Sequence, residues 1–244
     1  MRWVAVGDRV SEVLGRAVSE GRVALLEPEA HRVCELCGIP VAGFKLAETV
    51  EAAVTAAEAL GFPVVLKVVS PDILHKSDVG GVVVDLKSPH EVRTAYEAIV
   101  NNVAKHTPGA RVRGVLVQQM ASPSLEVVIG MTKDPTFGPA LMFGLGGVFV
   151  EVLRDVAFRI APITEADAWE MVREIRAFEV LQGVRGQEPS DIGALVDILL
   201  KVSRLVVEHG EIDQLDLNPI FVYAEGAVVV DARILLAGGS EGAR

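Results

Sequence analysis

The sequence predicts a mixed α/β protein built as two α+β lobes. Three observations predict it. Helical and strand periodicities alternate along the chain. The strand segments come in hairpin-like pairs, not in a regular βαβ ladder. Half of the 244 residues are apolar, enough material for a sizeable core.

The elements follow in order. Residues 9–20 read as a helix striped by Val10, Val13, Leu14, Ala17 and Val18 and stopped at Gly21. A second helix over 28–38 carries Val33, Leu36 and Cys37, and a third over 48–60 carries Val50, Val54, Ala57 and Leu60, with Gly61 as its C′ residue. PVVLKVV, residues 63–69, is a β-branched run of buried-strand type. After the loop SPDILHKSDVGG, VVVDLK alternates as a strand. Ser88, Pro89 and Glu91 form a capped helix start, continued by Val92, Tyr96, Ile99 and Val103. RGVLVQQM reads as a strand, with LEVVIGM as its partner across the short ASPS turn. Strands at 139–143 and 156–160 flank a GLGG loop. Thr164 and Asp167 cap a helix running to about 178, and Asp191–Glu208 is another. Two strands, DQLDLNPIFVY and AVVVDARILL, close the chain around an Ala224–Gly226 turn. The seam between the lobes falls near residues 117–121, and AGGSEGAR is a tail.

Charge and composition narrow the function. The net charge is −10, so the surface repels a phosphate backbone, and no nucleic-acid partner is expected. No apolar run reaches the length of a membrane span, and the N-terminus lacks a signal-peptide core, so a cytoplasmic protein with no membrane partner is expected. Cys34 and Cys37 have no second pair for a zinc site and read as two small apolar side chains on a helix.

Four features bear chemistry. Lys67 interrupts an apolar strand on the face of Val65 and Val69, and a buried ammonium needs an anion opposite. The glycine-bearing loop after that strand can turn N–H groups toward phosphates, although an edge lysine reaching for water would look the same. His75 sits in that loop beside Lys76, Ser77 and Gly80–Gly81; a neutral imidazole is a good phosphoryl acceptor near pH 7, although a loop histidine is more often without a role. Asp216 and Asn218 project to one face of a strand, and a short turn brings Asp231 beside Asn218. Such oxygen donors suit Mg²⁺ shared with nucleotide phosphates, and a polar solvated face is the bland alternative. The stretch GLGGVFVEVLRDVAFR is neither a Rossmann fingerprint nor a P-loop; Glu151, Asp155 and Arg159 follow its glycines, and Arg159 points away from the core toward a possible anion.

Taken together, GFPVVLKVVSPDILHKSDVGGVVVDL, GVLVQQM, DPTFGPALMFGLGGVFVEVLRDVAFRIAP and LDLNPIFV…VVVDARI resemble the ATP-grasp β subunit of ADP-forming acetyl-CoA synthetases, relatives of succinyl-CoA synthetase, over about residues 25–236. The resemblance implies an ATP-grasp fold in which two lobes sandwich the nucleotide: an extension at 1–24, a small lobe at 25–117, a large lobe at 118–236 and a tail at 237–244. It implies interconversion of acyl-CoA, ADP and phosphate with acid, CoA and ATP. Lys67 matches the lysine that holds nucleotide phosphates, Gln118, Gln119 and Met120 the adenine hinge, and Glu126 lies near the nucleotide. Arg159 is a further candidate for the transferred charge. Asn218 and Asp231 match the Mg²⁺ ligands, Asp216 the acidic residue that steadies a phosphohistidine, and His75 a second phosphoryl carrier on a mobile loop. The loop HKSDVGG favours the acetyl branch over the succinyl branch. ADP/ATP and Mg²⁺ are the implied cofactors. A CoA-binding α subunit, as in an α2β2 assembly, is the implied partner, since nothing in the chain supplies a CoA-binding domain; the Met1 start and the length suggest a separate β subunit. A succinyl-CoA synthetase-like β subunit for another acid, another ATP-grasp ligase and a non-catalytic nucleotide-binding module are the alternatives.

Overall fold

A computed structural model describes residues 4–73, 75–147, 153–184, 186 and 188–238, with side chains from residue 7 onward. The elements run α1 (Val4–Ser19), α2 (Glu27–Leu36), β1 (Phe44–Ala47), α3 (Val50–Leu60), β2 (Val64–Val69), β3 (Val82–Leu86), α4 (Pro89–His106), β4 (Gly114–Gln119), β5 (Leu125–Asp134), β6 (Gly138–Leu145), β7 (Val156–Ile160), α5 (Glu165–Glu174), α6 (Phe178–Leu181), α7 (Ile192–Glu208), β8 (Ile212–Val222), β9 (Ala227–Val229) and β10 (Ala232–Leu236). No helix among the described residues is long and apolar enough to cross a membrane.

The chain divides into two compact units. The smaller holds Leu26–Pro28 and Ala42–Ser122; the larger holds Met1–Leu25, Glu29–Val41 and Pro123–Arg244. The division after Ser122 lies next to the expected seam. Residues 29–41, expected in the small lobe, pack with the larger unit instead, because Val33, Cys34, Cys37 and Ile39 belong to its core. The extension is likewise part of that core. Val10, Leu14 and Ala17 of α1 are buried there, while Val18 of the same stripe stays exposed.

In the smaller unit an antiparallel sheet of order β1-β4-β2-β3 carries α3 and α4 on one face. Leu66, Val68, Val115 and Val117 point to the helices, and the intervening Lys67, Leu116 and Gln118 point away. Ser88 Oγ accepts the Glu91 N–H and starts α4, while the Glu91 carboxylate accepts from Lys87 N, one residue beyond the usual reciprocal partner.

In the larger unit the sheet has order β10-β8-β5-β6-β7, with β9 also on β8. Helices α1, α2, α5 and α7 contribute to the core on one face, against Ile129, Leu141, Phe143, Leu217 and Ile234. Here the sequence reading needs correction. LEVVIGM is not the hairpin partner of RGVLVQQM: β4 pairs with β1 and β2, whereas β5 pairs with β6 and β8 in the other unit's sheet. The ASPS segment is the crossing between units, not a turn. The helix capped by Thr164 and Asp167 ends at Glu174 rather than 178, because the buried Asp155 carboxylate takes the N–H groups of Arg176 and Ala177, both at 2.8 Å.

Candidate functional site

The smaller unit holds Lys67, Lys76 and the His75 loop. Lys67 is on the central strand β2, between Val82 of β3 and Leu116 of β4, and is buried. Its anion is Glu27, a residue the sequence reading did not single out. Glu27 Oε1 lies 2.6 Å from Lys67 Nζ, and Glu27 Oε2 lies 2.8 Å from Lys76 Nζ. Burial pushes the Glu27 carboxyl up, but Lys67 and then Lys76 outweigh it and hold the group below its ordinary value. The only local signal for this pairing was the need of Lys67 for an anion; 40 residues separate the partners.

The His75 loop leaves β2 and is fastened on both sides. Before His75, Asp72 accepts from the Arg111 guanidinium at 2.7 and 3.0 Å and from its backbone N–H at 2.8 Å, which holds the Asp72 carboxyl down at about 2. After His75, Gly81 N donates to Lys76 O and Gly81 O accepts from Val68 N, both at 2.7 Å. A Cβ at position 81 would meet Val68 Cγ1 at 2.5 Å and Lys76 O at 2.9 Å, so only glycine closes the loop onto the strand. His75 itself is exposed.

Gln118 and Gln119 end β4, and Met120 follows it. Gln118 is buried, Gln119 is exposed, and the backbone N–H groups of Gln119 and Met120 donate to Gly43 O at 2.7 Å and Pro63 O at 3.0 Å.

The larger unit holds Asp216, Asn218 and Asp231. Gln214, Asp216 and Asn218 alternate with buried Leu215 and Leu217 along β8, and so face away from the helices, as the alternation predicts. A cavity of about 350 Å³ opens on that face, lined by Asp216, Asn218 and Arg233 together with Met142, Phe158 and Gln214. Arg233 of β10 is directly opposite Asp216. Pro219 cannot donate to a ladder, and the ladder changes there: β10 pairs with β8 up to Leu217, β9 from Ile220 onward, and the β5 register shifts between Val127 and Ile129. In that gap the Asn218 N–H donates to the backbone carbonyl of Asp231 at 3.1 Å, so the two backbones are neighbours, although Asp231 does not line the cavity. The predicted second strand is therefore two, β9 and β10, with Asp231 at the break. Desolvation, and then the Asp231 charge, push the Asp216 carboxyl up; Arg233 opposes them. The donors are all oxygen, two carboxylates and an amide, which fits a hard divalent cation such as Mg²⁺.

Glu126 is on β5, two residues before the cavity-lining Val128. Gly146 N donates to its carbonyl at 2.7 Å, and a Cβ at 146 would stand 2.9 Å from Glu126 Cβ, which explains one glycine of GLGG. Arg159 is the site residue the structure moves. It pairs with core-facing Leu141 and its guanidinium reaches Glu174 of α5 at 2.6 Å, on the helix side of the sheet, whereas its neighbour Phe158 lines the cavity. Its anion is a helix carboxylate, and it does not face the cavity. Glu151 lies outside the described residues.

Residues 16–236 match the ATP-grasp domain family. The chain is also 51% identical over 230 residues to acetate–CoA ligase [ADP-forming] II subunit beta of Pyrococcus furiosus, covering 93% of this chain and 98% of that one. This chain belongs to the ATP-grasp β subunits of ADP-forming acetate–CoA ligases. Among solved structures, this β subunit is similar to acetyl-coenzyme A synthetase 1 of Ca. Korarchaeum cryptofilum in complex with coenzyme A, Ca-AMPCP and HgCl⁺, at 51% identity and a TM-score of 0.90, covering 93% of this chain and 99% of that one. A second structure of that synthetase, with coenzyme A, Mg-AMPPCP and a phosphohistidine segment pointing towards the nucleotide binding site, matches at 48% identity and a TM-score of 0.84, with the same coverage.

Proposed function

We propose that this β subunit passes a phosphoryl group through His75 to ADP, as part of a ligase that interconverts acyl-CoA, ADP and phosphate with acid, CoA and ATP. The observation that carries the reading is His75 itself: an exposed imidazole on a loop fastened at Asp72 and Lys76, in a family whose solved member bears a phosphohistidine segment. In the transfer the N–P bond to the imidazole breaks and an O–P bond to the terminal oxygen of ADP forms, leaving the neutral ring.

Each unit supplies a part. Lys67 holds nucleotide phosphate, and Gln118, Gln119 and Met120 offer backbone carbonyls and side chains to the base, since the N–H groups of Gln119 and Met120 are already bonded to Gly43 and Pro63. Asn218 and Asp231 would hold Mg²⁺, with Asp216 beside them, and Glu126 on the neighbouring strand contributes to nucleotide binding. When bound, Mg²⁺ supplies charge neutralisation at the phosphate oxygens. The Asp216 carboxylate accepts a hydrogen bond from an incoming phosphoimidazole N–H and so orients the ring. CoA chemistry belongs to a CoA-binding partner chain, consistent with the word subunit in the name of the Pyrococcus relative. An α2β2 assembly and a cytoplasmic location complete the reading.

The test is steady-state turnover of the reconstituted complex with His75→Ala. The expected result is loss of ATP formation, with Mg-ADP still bound by the variant. Near-normal turnover would show that His75 carries nothing.

A further inference from the structure

The ion cluster beside the loop supports a second role. Resting on the phosphohistidine reading, we propose that Glu27 is a positioning residue: its buried carboxylate brackets Lys67 on β2 and Lys76 next to His75, and so sets where the imidazole is presented. One carboxylate thus ties the strand residue Lys67 to the loop residue Lys76. Lys76 is the informative member. Its side chain retains about a quarter of its exposure and has water within reach, yet it turns inward to Glu27. Its backbone is fixed as well, through the Gly81 N–H, so both ends of this residue are tied and His75 departs from a set point. Glu27 stays charged in spite of burial, because both lysines stabilise the anion.

The experiment measures two quantities on the full chain with its partner subunit: the rate at which γ-labelled Mg-ATP leaves a base-stable label on His75, and the Kd for Mg-ATP. Glu27→Gln keeps the shape but releases Lys76, and Lys76→Met removes the tie from the other end. Both are expected to slow labelling by about tenfold to a hundredfold, the cost of a displaced reacting group. The nucleotide Kd is expected to change by less than about twofold, since Lys67 remains, and Lys76→Arg, which restores the ion pair, is expected to recover the rate. A structural role alone would lower the melting temperature and leave the labelling rate per folded molecule unchanged. Labelling at the normal rate in Lys76→Met, a variant with a partly exposed side chain that folds even where Glu27→Gln does not, would overturn the bracket while leaving His75 as carrier. Absence of label in the unsubstituted protein would instead overturn the carrier reading, and the bracket with it.

Discussion

The two units solve opposite electrostatic problems. In the smaller unit two lysines meet one buried carboxylate, and the cations are held in place by an anion of the chain itself. In the larger unit Asp216 and Asn218 line an open cavity, and desolvation, then the charge of Asp231, pushes the Asp216 carboxyl up, with Arg233 opposing. The buried carboxylate of the smaller unit is thus matched by lysines of the same unit, while the Asp216 carboxyl of the larger is desolvated beside a second carboxylate. Sites assembled for a missing charge are expected to weigh on stability, and self-neutralised ones to support it.

The largest expected effect lies at the break between β9 and β10. Asp231→Asn is expected to lower turnover of the complex by about a hundredfold or more, the scale of losing a fixed charge at a phosphoryl group, with the Mg²⁺ concentration for half-maximal rate raised. Unchanged Mg²⁺ dependence would contradict the assignment of the donors.

Next comes the cationic cluster. Lys67→Met is expected to cost about 3 kcal/mol in urea unfolding, the lower end for a broken buried pair, because Lys76 still faces Glu27. A comparable packing control is Leu14→Ala in the α1 stripe, expected to cost about 2–5 kcal/mol by leaving a cavity.

The pH dependence separates the units by sign. The folded pKa of Glu27 is lowered, so its contribution to stability is complete above the unfolded value near 4.5 and is lost as the pH falls through the folded value. Acid unfolding of Glu27→Gln is therefore expected to be less steep than that of the parent. The folded pKa of Asp216 is raised, so its charge costs stability as the pH rises through that value. Asp216→Asn is expected to raise Tm slightly at pH 7 while it lowers turnover, measured by calorimetry and coupled assay.

The smallest effect concerns the cysteines. Burial pushes Cys37 up to about 11 and Cys34 higher still. Neither thiol is expected to react with a thiol reagent at pH 8 until the chain is unfolded, as a denaturant titration of labelling would show.

The local part of this architecture was legible in the sequence. The caps at Ser88 and Thr164, the stripes of α1 and α7, and the alternation that places Asp216 and Asn218 on one face all depend on spacing within a few residues. What escaped depends on distant pairing. β1, with its four residues and no clear alternation, gave no strand signal. The separation of β4 and β5 into different sheets contradicts the adjacency that a short connection suggests. Period-2 alternation located Arg159 correctly as alternating with Phe158 and Ile160, but could not tell which face meets the helices. Lys67 announced the need for an anion, and only the fold identified Glu27 as that anion.

The central claim is that His75 holds phosphorus in transit. The most direct test is to quench the reconstituted complex during turnover with labelled ATP, digest it at alkaline pH and locate the phosphoryl group by mass spectrometry. The account predicts a base-stable, acid-labile adduct on the His75 peptide that vanishes when ADP is added in excess. A phosphoryl group found on the partner subunit alone, at every time point, would contradict it.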